Sequence, residues 1–390
     1  MEETQRSADE IRATRDARTA PDETRFADIG KQEAVARLYA GTPFRPARTV
    51  RFDAALAGDR IVQAGRLLLE GIDFDLVYFP LKHLGYKAVV AVTGELLAAL
   101  AHPRGLSIVL GISAKLDFAQ IRELWGGVVA AAREFGYTDV ALDLQPSRNG
   151  LAVSVSATGS TPLLTAKRRP APKSKDLLCI SGSLGAAYLG FRLLEREKRA
   201  FAGATGAGST GGGSSAGVGS AGGDGSSAGV GSSSGESPAG VSRSTLETYR
   251  MLVGAYLKPE LPAGVVSAFE DAEIYPSAGC LVTHGLADAV KRLSLQTGLG
   301  AKIYADKIPF EGNSFQLGKE LGVDPVAAAM NGGDDCKLLF TVPILHLEKF
   351  RRDFQTFDII GHLADPSVGQ TLVLPEGAEL PLRAPGWPDD

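Results

Sequence analysis

Cysteine is scarce in these 390 residues: Cys179, Cys280 and Cys336 stand alone, and no two are spaced as CxxC. An odd, scattered set of this kind argues against a disulfide framework and against a zinc site, and it fits a reducing, cytoplasmic setting. Nor is there an apolar run long enough to span a bilayer, so no membrane partner is expected. Residues 1–24 lack an apolar core and are crowded with Glu2, Glu3, Arg6, Asp9, Glu10, Arg12, Arg15, Asp16 and Arg18. That composition excludes a secretory signal and predicts a solvated, disordered tail. Excess positive charge is absent too: the net charge is −4 and the pI about 5.9, which gives no global basic field for nucleic acid. Missing as well are a GxxxxGK[ST] loop and a GxGxxG that follows a strand and opens a helix. Nucleotide binding by this chain therefore does not rest on a phosphate-cradling glycine loop of those kinds.

What is present is ordinary globular material, 44% hydrophobic and 22% charged, long enough for two cores. From Gly203 to Gly240 the chain becomes glycine, serine and alanine, with SSAGVGS at Ser214–Ser220 recurring at Ser226–Ser232. Such a stretch has little side-chain area to bury against the cost of ordering it, and a flexible coil is expected. The division that follows is a tail over 1–24, an N-terminal domain over 25–200, a low-complexity linker over 201–244 and a C-terminal domain over 245–390.

Periodicity supplies the elements. Ala88 to Ala101 begins as an apolar run suited to a buried strand or helix, and Leu106 to Ser113 reads as a strand. Over Phe118 to Gly136, the apolar residues Ile121, Leu124, Val128, Val129, Ala132 and Phe135 recur at helical spacing, with Gly136 as the stop. Thr138 to Leu144 and Leu151 to Gly159 read as strands joined by a polar turn at PSRNG, in a mixed αβ unit with antiparallel pairs. Beyond the glycine stretch, Leu286 to Gly298 is an amphipathic helix, AKIYADKI a strand, and GKELGVDPVAAAMNGG helix and turn; KLLFTV, FDIIGHL and QTLVLP add strands.

Three runs carry a family resemblance: EGIDFDLVYFPLKHLGYK from Glu70 to Lys87, SGSLGAAYLGFRLLEREK from Ser181 to Lys198, and NGGDDCKLLFT from Asn331 to Thr341. They resemble the thiamine-monophosphate kinase family, over roughly Phe26 to Lys198 and Leu246 to Trp387. The resemblance implies an α/β domain plus an α+β domain in the two-domain fold of aminoimidazole ribonucleotide synthetase, with the N-terminal domain pairing with its copy through a β-barrel-like interface to form a homodimer. It also implies ATP and magnesium, since family members transfer a phosphoryl group to thiamine monophosphate and use clustered aspartates to hold the metal. Two phosphorylated reactants repel one another, and magnesium prefers hard oxygen ligands in octahedral geometry.

Residue by residue, the resemblance is uneven. The family's GDDAA falls on Arg51-Phe52-Asp53-Ala54-Ala55, its TDMLVEGVHF on Gly65-Arg66-Leu67-Leu68-Leu69-Glu70-Gly71-Ile72-Asp73-Phe74, and its NLSDI on Val92-Thr93-Gly94-Glu95-Leu96. The GGD aspartate falls on Asp143, DISDGL on Leu281 to Leu286, and the SGDLG aspartate on Ser183. Asp53, Glu95 and Asp143 are thus the metal ligands it implies, while Phe52, Arg66, Leu281 and His284 stand where family acids would be. Arginine cannot ligate magnesium but can pair with phosphate, and a neutral histidine does not replace a hard oxygen. Arg169 is implied near the nucleotide, and Asp73, Asp334 and Trp387 near the thiamine substrate, Trp387 as a ring for stacking.

Each position has a plainer reading. Asp53, Glu95 and Asp143 are also what exposed or capping carboxylates look like. His284 beside Gly285 suits a turn or helix cap and Trp387 a packing anchor for the tail, while Lys82, His83 and Lys87 form a basic group that suits either an approach to phosphates or a solvated edge. GGDD at Gly332 to Asp335 echoes cyclic-dinucleotide enzymes, but its flanks fit the kinase family better. No catalytic residue is assigned. Two functions stay open: an ATP- and magnesium-dependent kinase making thiamine diphosphate, or a catalytically inactive, repurposed homologue that binds a small-molecule phosphate as a dimeric binding or regulatory protein.

Overall fold

Among the described residues, five strands and two helices come first. In this computed structural model, which describes residues 49–54, 58–206 and 243–387, β1 (Thr49–Ala54) and β2 (Asp59–Leu69) form an antiparallel pair. Helix α1 (Leu81–Ala98) follows, then β3 (His102–Ser113), α2 (Phe118–Glu134), β4 (Asp139–Ser147) and β5 (Ala152–Pro162). The ambiguous run at Ala88 is thus helical, and α1 is buried over nearly its whole circumference. It can be so because its polar residues are few and it is covered on more than one side. Helix α2 starts on a capping box, Asp117 accepting from the Gln120 N–H at 2.8 Å while Gln120 accepts from the Asp117 N–H at 2.9 Å. It ends just before Gly136, whose φ of 73° is the left-handed stop expected there. The two helices touch backbone to backbone: a Cβ placed on Gly127 would lie 1.8 Å from the Lys82 carbonyl, and one on Gly85 would lie 2.1 Å from that of Leu124.

The sheet order is β1-β2-β5-β3-β4. Strands β4 and β5 are therefore not the neighbouring pair that their polar turn suggests. The α2 crossover returns the chain parallel to β3 on the outer edge, and β5 then inserts antiparallel between β2 and β3.

After α3 (Leu163–Arg168) the chain enters a second sheet with β6 (Leu177–Ile180) and continues into α4 (Ala186–Gly206). The tail over 1–24 and the glycine-rich residues 207–242 lie outside the described residues, but helix persists through Gly206 and resumes in α5 (Arg243–Thr248). Then come α6 (Arg250–Leu257), α7 (Val265–Asp271), β7 (Ala278–Val282), α8 (Leu286–Thr297), β8 (Gly300–Tyr304), α9 (Ser314–Leu321) and α10 (Pro325–Asn331). The described chain closes with β9 (Lys337–Val342), α11 (Leu347–Asp353), β10 (Asp358–Ala364), β11 (Gln370–Val373) and β12 (Glu379–Pro381). The second sheet runs β12-β11-β8-β10-β6-β9-β7, so β6 takes an interior place among strands that follow the glycine stretch.

Helix α1 sits on the inner face of the first sheet and also touches β7 and β9. Its Val90 and Leu96 share one core with Ile108 and Val155 of the first sheet and with Leu281, Phe340 and Val342 of the second. Beside Phe340 an aromatic group forms, with Phe350 and Phe354 stacked at 5.0 Å between ring centres and Phe269 stacked on Phe354 at 4.5 Å. All three cysteines are free and buried. No helix of the described residues is long and apolar enough to cross a membrane.

Candidate functional site

The side chains with chemical potential gather where α1 passes the β7–α8 turn and the loop before β9. That loop, residues 332–336, has an unusual backbone: besides Gly333, the non-glycine residues Asp334 (φ 64°) and Cys336 (φ 50°) are left-handed. Such conformations cost free energy and persist only where the surroundings fix them. Here the Asp334 N–H donates to the Thr283 carbonyl at 2.9 Å, tying the loop to the turn that opens α8. Between the two strained residues, Asp335 is buried and accepts from the N–H groups of Gly185 (2.8 Å) and Ala187 (3.1 Å). It thereby satisfies the first turn of α4. Burial pushes its pKa up to about 7, against the pull of those two donors and of Lys337.

Lys87 belongs to this cluster. Expected on a solvated edge, it is instead buried, at 2% exposure, because α1 is covered on that side by α6. Its Nζ makes no hydrogen bond but lies 4.0 Å from the Tyr256 ring centre, 5.2 Å from that of Phe79, and 3.5 Å from Asp334 Oδ1. The aromatic faces and the half-exposed carboxylate offset the buried charge between them. Arg66 and Lys87 both act to lower the Cys336 pKa, although burial dominates and pushes that thiol up to about 12. Cys336 is therefore a protonated core thiol at neutral pH.

A second charge cluster lies further along α1. Glu95 faces α8, where Arg292 reaches it with Nη1 at 3.8 Å from Oε1. The same guanidinium donates from Nε to Asp288 at 2.9 Å and from Nη2 to the Leu281 carbonyl at 2.5 Å. Glu95, Asp288 and Arg292 are all close to buried. Burial works to lower the Arg292 pKa, but Cys280, Glu95 and Asp288 more than offset it and hold the value raised. Leu281 itself is fully buried and packs so closely on α1 that a Cβ on Gly94 would come 2.4 Å from its Cδ1.

The other sequence-derived site residues are dispersed. Asp53, on β1, accepts from Arg60 at 2.8 Å, and that guanidinium holds its carboxyl below the usual range. Asp143 is exposed on β4, bonded to its own neighbours Leu144 N–H and Gln145. It is in register with the exposed Val109, whereas the adjacent Ile108 points inward to the core under α1. Asp143 thus lies on the face of the sheet turned away from Glu95. Strands β1 and β4 are the two edges of a five-stranded sheet, so Asp53 and Asp143 are separated by four strand spacings, about 19 Å or more. Within one chain Asp53, Glu95 and Asp143 do not converge, and among the described residues no group of three or more His, Cys, Asp or Glu gathers as metal ligands would. Within one chain the described acids do not by themselves assemble the magnesium site implied by the resemblance.

Of the substrate and nucleotide positions, Asp73 closes the turn after β2 by accepting from the Leu69 N–H at 2.8 Å. Arg169 donates to the Pro276 carbonyl at 3.0 Å and the Ala99 carbonyl at 3.1 Å, joining the end of α1 to the approach to β7. His284 Nδ1 is 2.9 Å from the Thr283 hydroxyl, just ahead of α8, which agrees with a turn histidine. Trp387 is half-buried in Pro385–Trp387, a stretch grouped separately from the unit that ends at Ala384. Only Asp334 lies with Lys87 and the strained loop. The residues that sequence reasoning missed are Arg292, Asp288 and Asp335. Asp288 and Arg292 are four apart on a helix, a spacing that signals an ion pair but not its burial.

No family model matches the chain. Among curated proteins, it is 21% identical to thiamine-monophosphate kinase of Aquifex aeolicus over 278 residues, 71% of this chain and 74% of the relative. The Synechococcus elongatus thiamine-monophosphate kinase is 25% identical over 169 residues, 42% of this chain and half of that protein. Among solved structures, AaThiL complexed with AMPPCP and TMP superimposes with a TM-score of 0.68 at 18% identity, covering 92% of this chain and 97% of the other. Escherichia coli HypE, a hydrogenase maturation protein, gives 0.56 at 16% identity, covering 92% and 97%. The mixed α/β architecture with its two sheets is accordingly that of aminoimidazole ribonucleotide synthetase-like proteins. Curated relatives and solved structures thus agree that the chain is similar, at low identity, to thiamine-monophosphate kinases and shares their fold.

Proposed function

We propose that this protein is a thiamine-monophosphate-kinase-like binding protein that takes a phosphorylated small molecule without magnesium-dependent phosphoryl transfer. The observation that carries this reading is the dispersal of its acids: Asp53 is paired with Arg60, Asp143 faces away from α1, and Glu95 is engaged by Arg292. Phosphoryl transfer between two anionic reactants depends on positioned charge, and loss of one charge-stabilising group costs about 3 to 4 kcal/mol of transition-state energy. Several such losses leave little rate, additive or not.

Support for a phosphorylated ligand comes from the related structure that holds AMPPCP and TMP, and from the positive charge that Arg66 and Lys87 bring near Cys336 in the strained loop. In this reading Asp334 and Asp73 serve the ligand's organic part, Arg169 serves the nucleotide side, and residues 25–200 and 245–390 are the two domains, the first lending β6 to the sheet of the second. A homodimer belongs to the same proposal. Edge strand β4 exposes Val140, Leu142 and Leu144, and Leu67 and Val109 are exposed on β2 and β3, as suits a sheet that a second copy completes.

Calorimetric titration of the full chain with thiamine monophosphate and with AMPPCP, each with and without magnesium, tests the reading alongside an assay for thiamine diphosphate. The expected result is binding of at least one ligand with an affinity indifferent to magnesium and no product. Magnesium-dependent turnover would establish the kinase instead.

A further inference from the structure

The ammonium of Lys87 sits where its charge is met only in part. Its side chain is 3% exposed, and Nζ carries three N–H donors yet makes no hydrogen bond. Each neighbour is measured from that one atom: the Tyr256 ring centre at 4.0 Å, the Phe79 ring centre at 5.2 Å and Asp334 Oδ1 at 3.5 Å. The two rings, held edge to face at 5.3 Å, attract a cation without supplying the oxygen acceptors an ammonium prefers. Asp334 is the one carboxylate paired with it among the described residues, and it stands beyond the reach of a charge-assisted hydrogen bond, which falls at about 2.7 to 2.9 Å. It is also the solvent side of the pair, at 40% exposure. Its backbone is fixed by the bond to the Thr283 carbonyl, whereas its carboxylate accepts no hydrogen bond among the described residues and can leave Lys87 by side-chain rotation alone.

We propose that Lys87 is the group that receives a ligand's phosphate, directly and without a metal, and that Asp334 is its exchangeable counter-ion, displaced as the phosphate enters. A phosphate monoester carries more negative charge than one carboxylate and presents three strong acceptor oxygens, so it answers the free N–H donors better than Asp334 does. Phe79 and Tyr256 keep the ammonium in place when Asp334 swings away, and the displaced carboxylate then faces the ligand's organic part. This inference rests on the reading of the protein as a binder of phosphorylated small molecules and names the side chain that takes the phosphate.

The test follows inorganic phosphate, a probe with no organic part, by phosphorus nuclear magnetic resonance line broadening on the full chain in EDTA. The wild type is expected to bind phosphate saturably. Asp334→Asn, whose side chain tolerates the left-handed backbone, removes the competing charge and is expected to tighten binding about fivefold. Lys87→Met, alone or together with Asp334→Asn, is expected to weaken it by about tenfold or more. An Asp334→Asn affinity equal to or below that of the wild type would overturn the proposal. So would a folded Lys87→Met, judged by circular dichroism, that binds phosphate as the wild type does, or a wild type and Asp334→Asn that bind none. Calorimetry with thiamine monophosphate separates the two levels of the argument: binding left unchanged by Lys87→Met sinks this inference alone, while no binding by the wild type or any variant sinks the phosphorylated-ligand reading with it. Should Lys87→Met fail to fold, the direction of the Asp334→Asn change still decides the question.

Discussion

Asp335 shows how much one side chain can hold in this molecule. Its two bonds to Gly185 and Ala187 N–H groups fasten the loop before β9 to the start of α4, and Asp335→Ala is expected to lower the unfolding free energy by about 2 to 3 kcal/mol, measured by urea denaturation. Its titration gives a second prediction. Burial raises the folded-state pKa from 3.8 to about 7, so in that window the folded chain holds a proton that the unfolded chain has released. The contribution is fully present below about pH 4 and is lost as pH rises toward 7. Asp335→Asn should flatten this decline in a comparison of denaturation midpoints at pH 5 and pH 7. Lys87 presents the opposite balance, a buried cation leaning on aromatic faces and one half-exposed partner. Asp334→Ala leaves that charge less compensated and should destabilise by about 1 to 2 kcal/mol, whereas Lys87→Met, which fits the same channel without charge, should be neutral or stabilising in the same assay.

At the scale of elements, α1 and α2 depend on contact between backbones. Gly127→Ala places a methyl group where the Lys82 carbonyl already is, so the helices must separate, and a loss of about 3 kcal/mol or more is expected by thermal or urea unfolding. Elements were also the level best read from sequence alone. Regular spacing of Ile121, Leu124, Val128 and Phe135 locates α2, and Gly136 marks its end. The KLLFTV run is β9 in full. Pairing was less legible: nothing in Thr138 to Gly159 says that β5 slips between β2 and β3, because that choice is made by the α2 crossover and by burial against α1. Burial of charge was least legible. Arg292 and Lys87 carry the signature of solvated faces, and only the ion pair of Arg292 with Glu95 and Asp288 and the packing of α6 against α1 show them withdrawn from water. Asp334 was found by resemblance in its strained loop, while Glu95 was found without the arginine that occupies it.

At the scale of the whole molecule, the first sheet is exposed and apolar along β4, and a second copy is the proposed cover. Leu142→Arg should convert a dimer into a monomer by sedimentation velocity while leaving circular dichroism unchanged, since Leu142 is already 42% exposed within one chain. The second sheet carries a different lesson, written in the place of β6. This strand is drawn from Leu177–Ile180, yet it is hydrogen-bonded on one side to β10 and on the other to β9, both far downstream of residue 242. Cutting the backbone anywhere between Gly206 and Arg243 would therefore leave two fragments stitched together by a shared ladder, expected to travel as one species on a sizing column. Expressing either piece alone would strip a ladder of its middle rung and expose the apolar edges of β9 and β10 to aggregation.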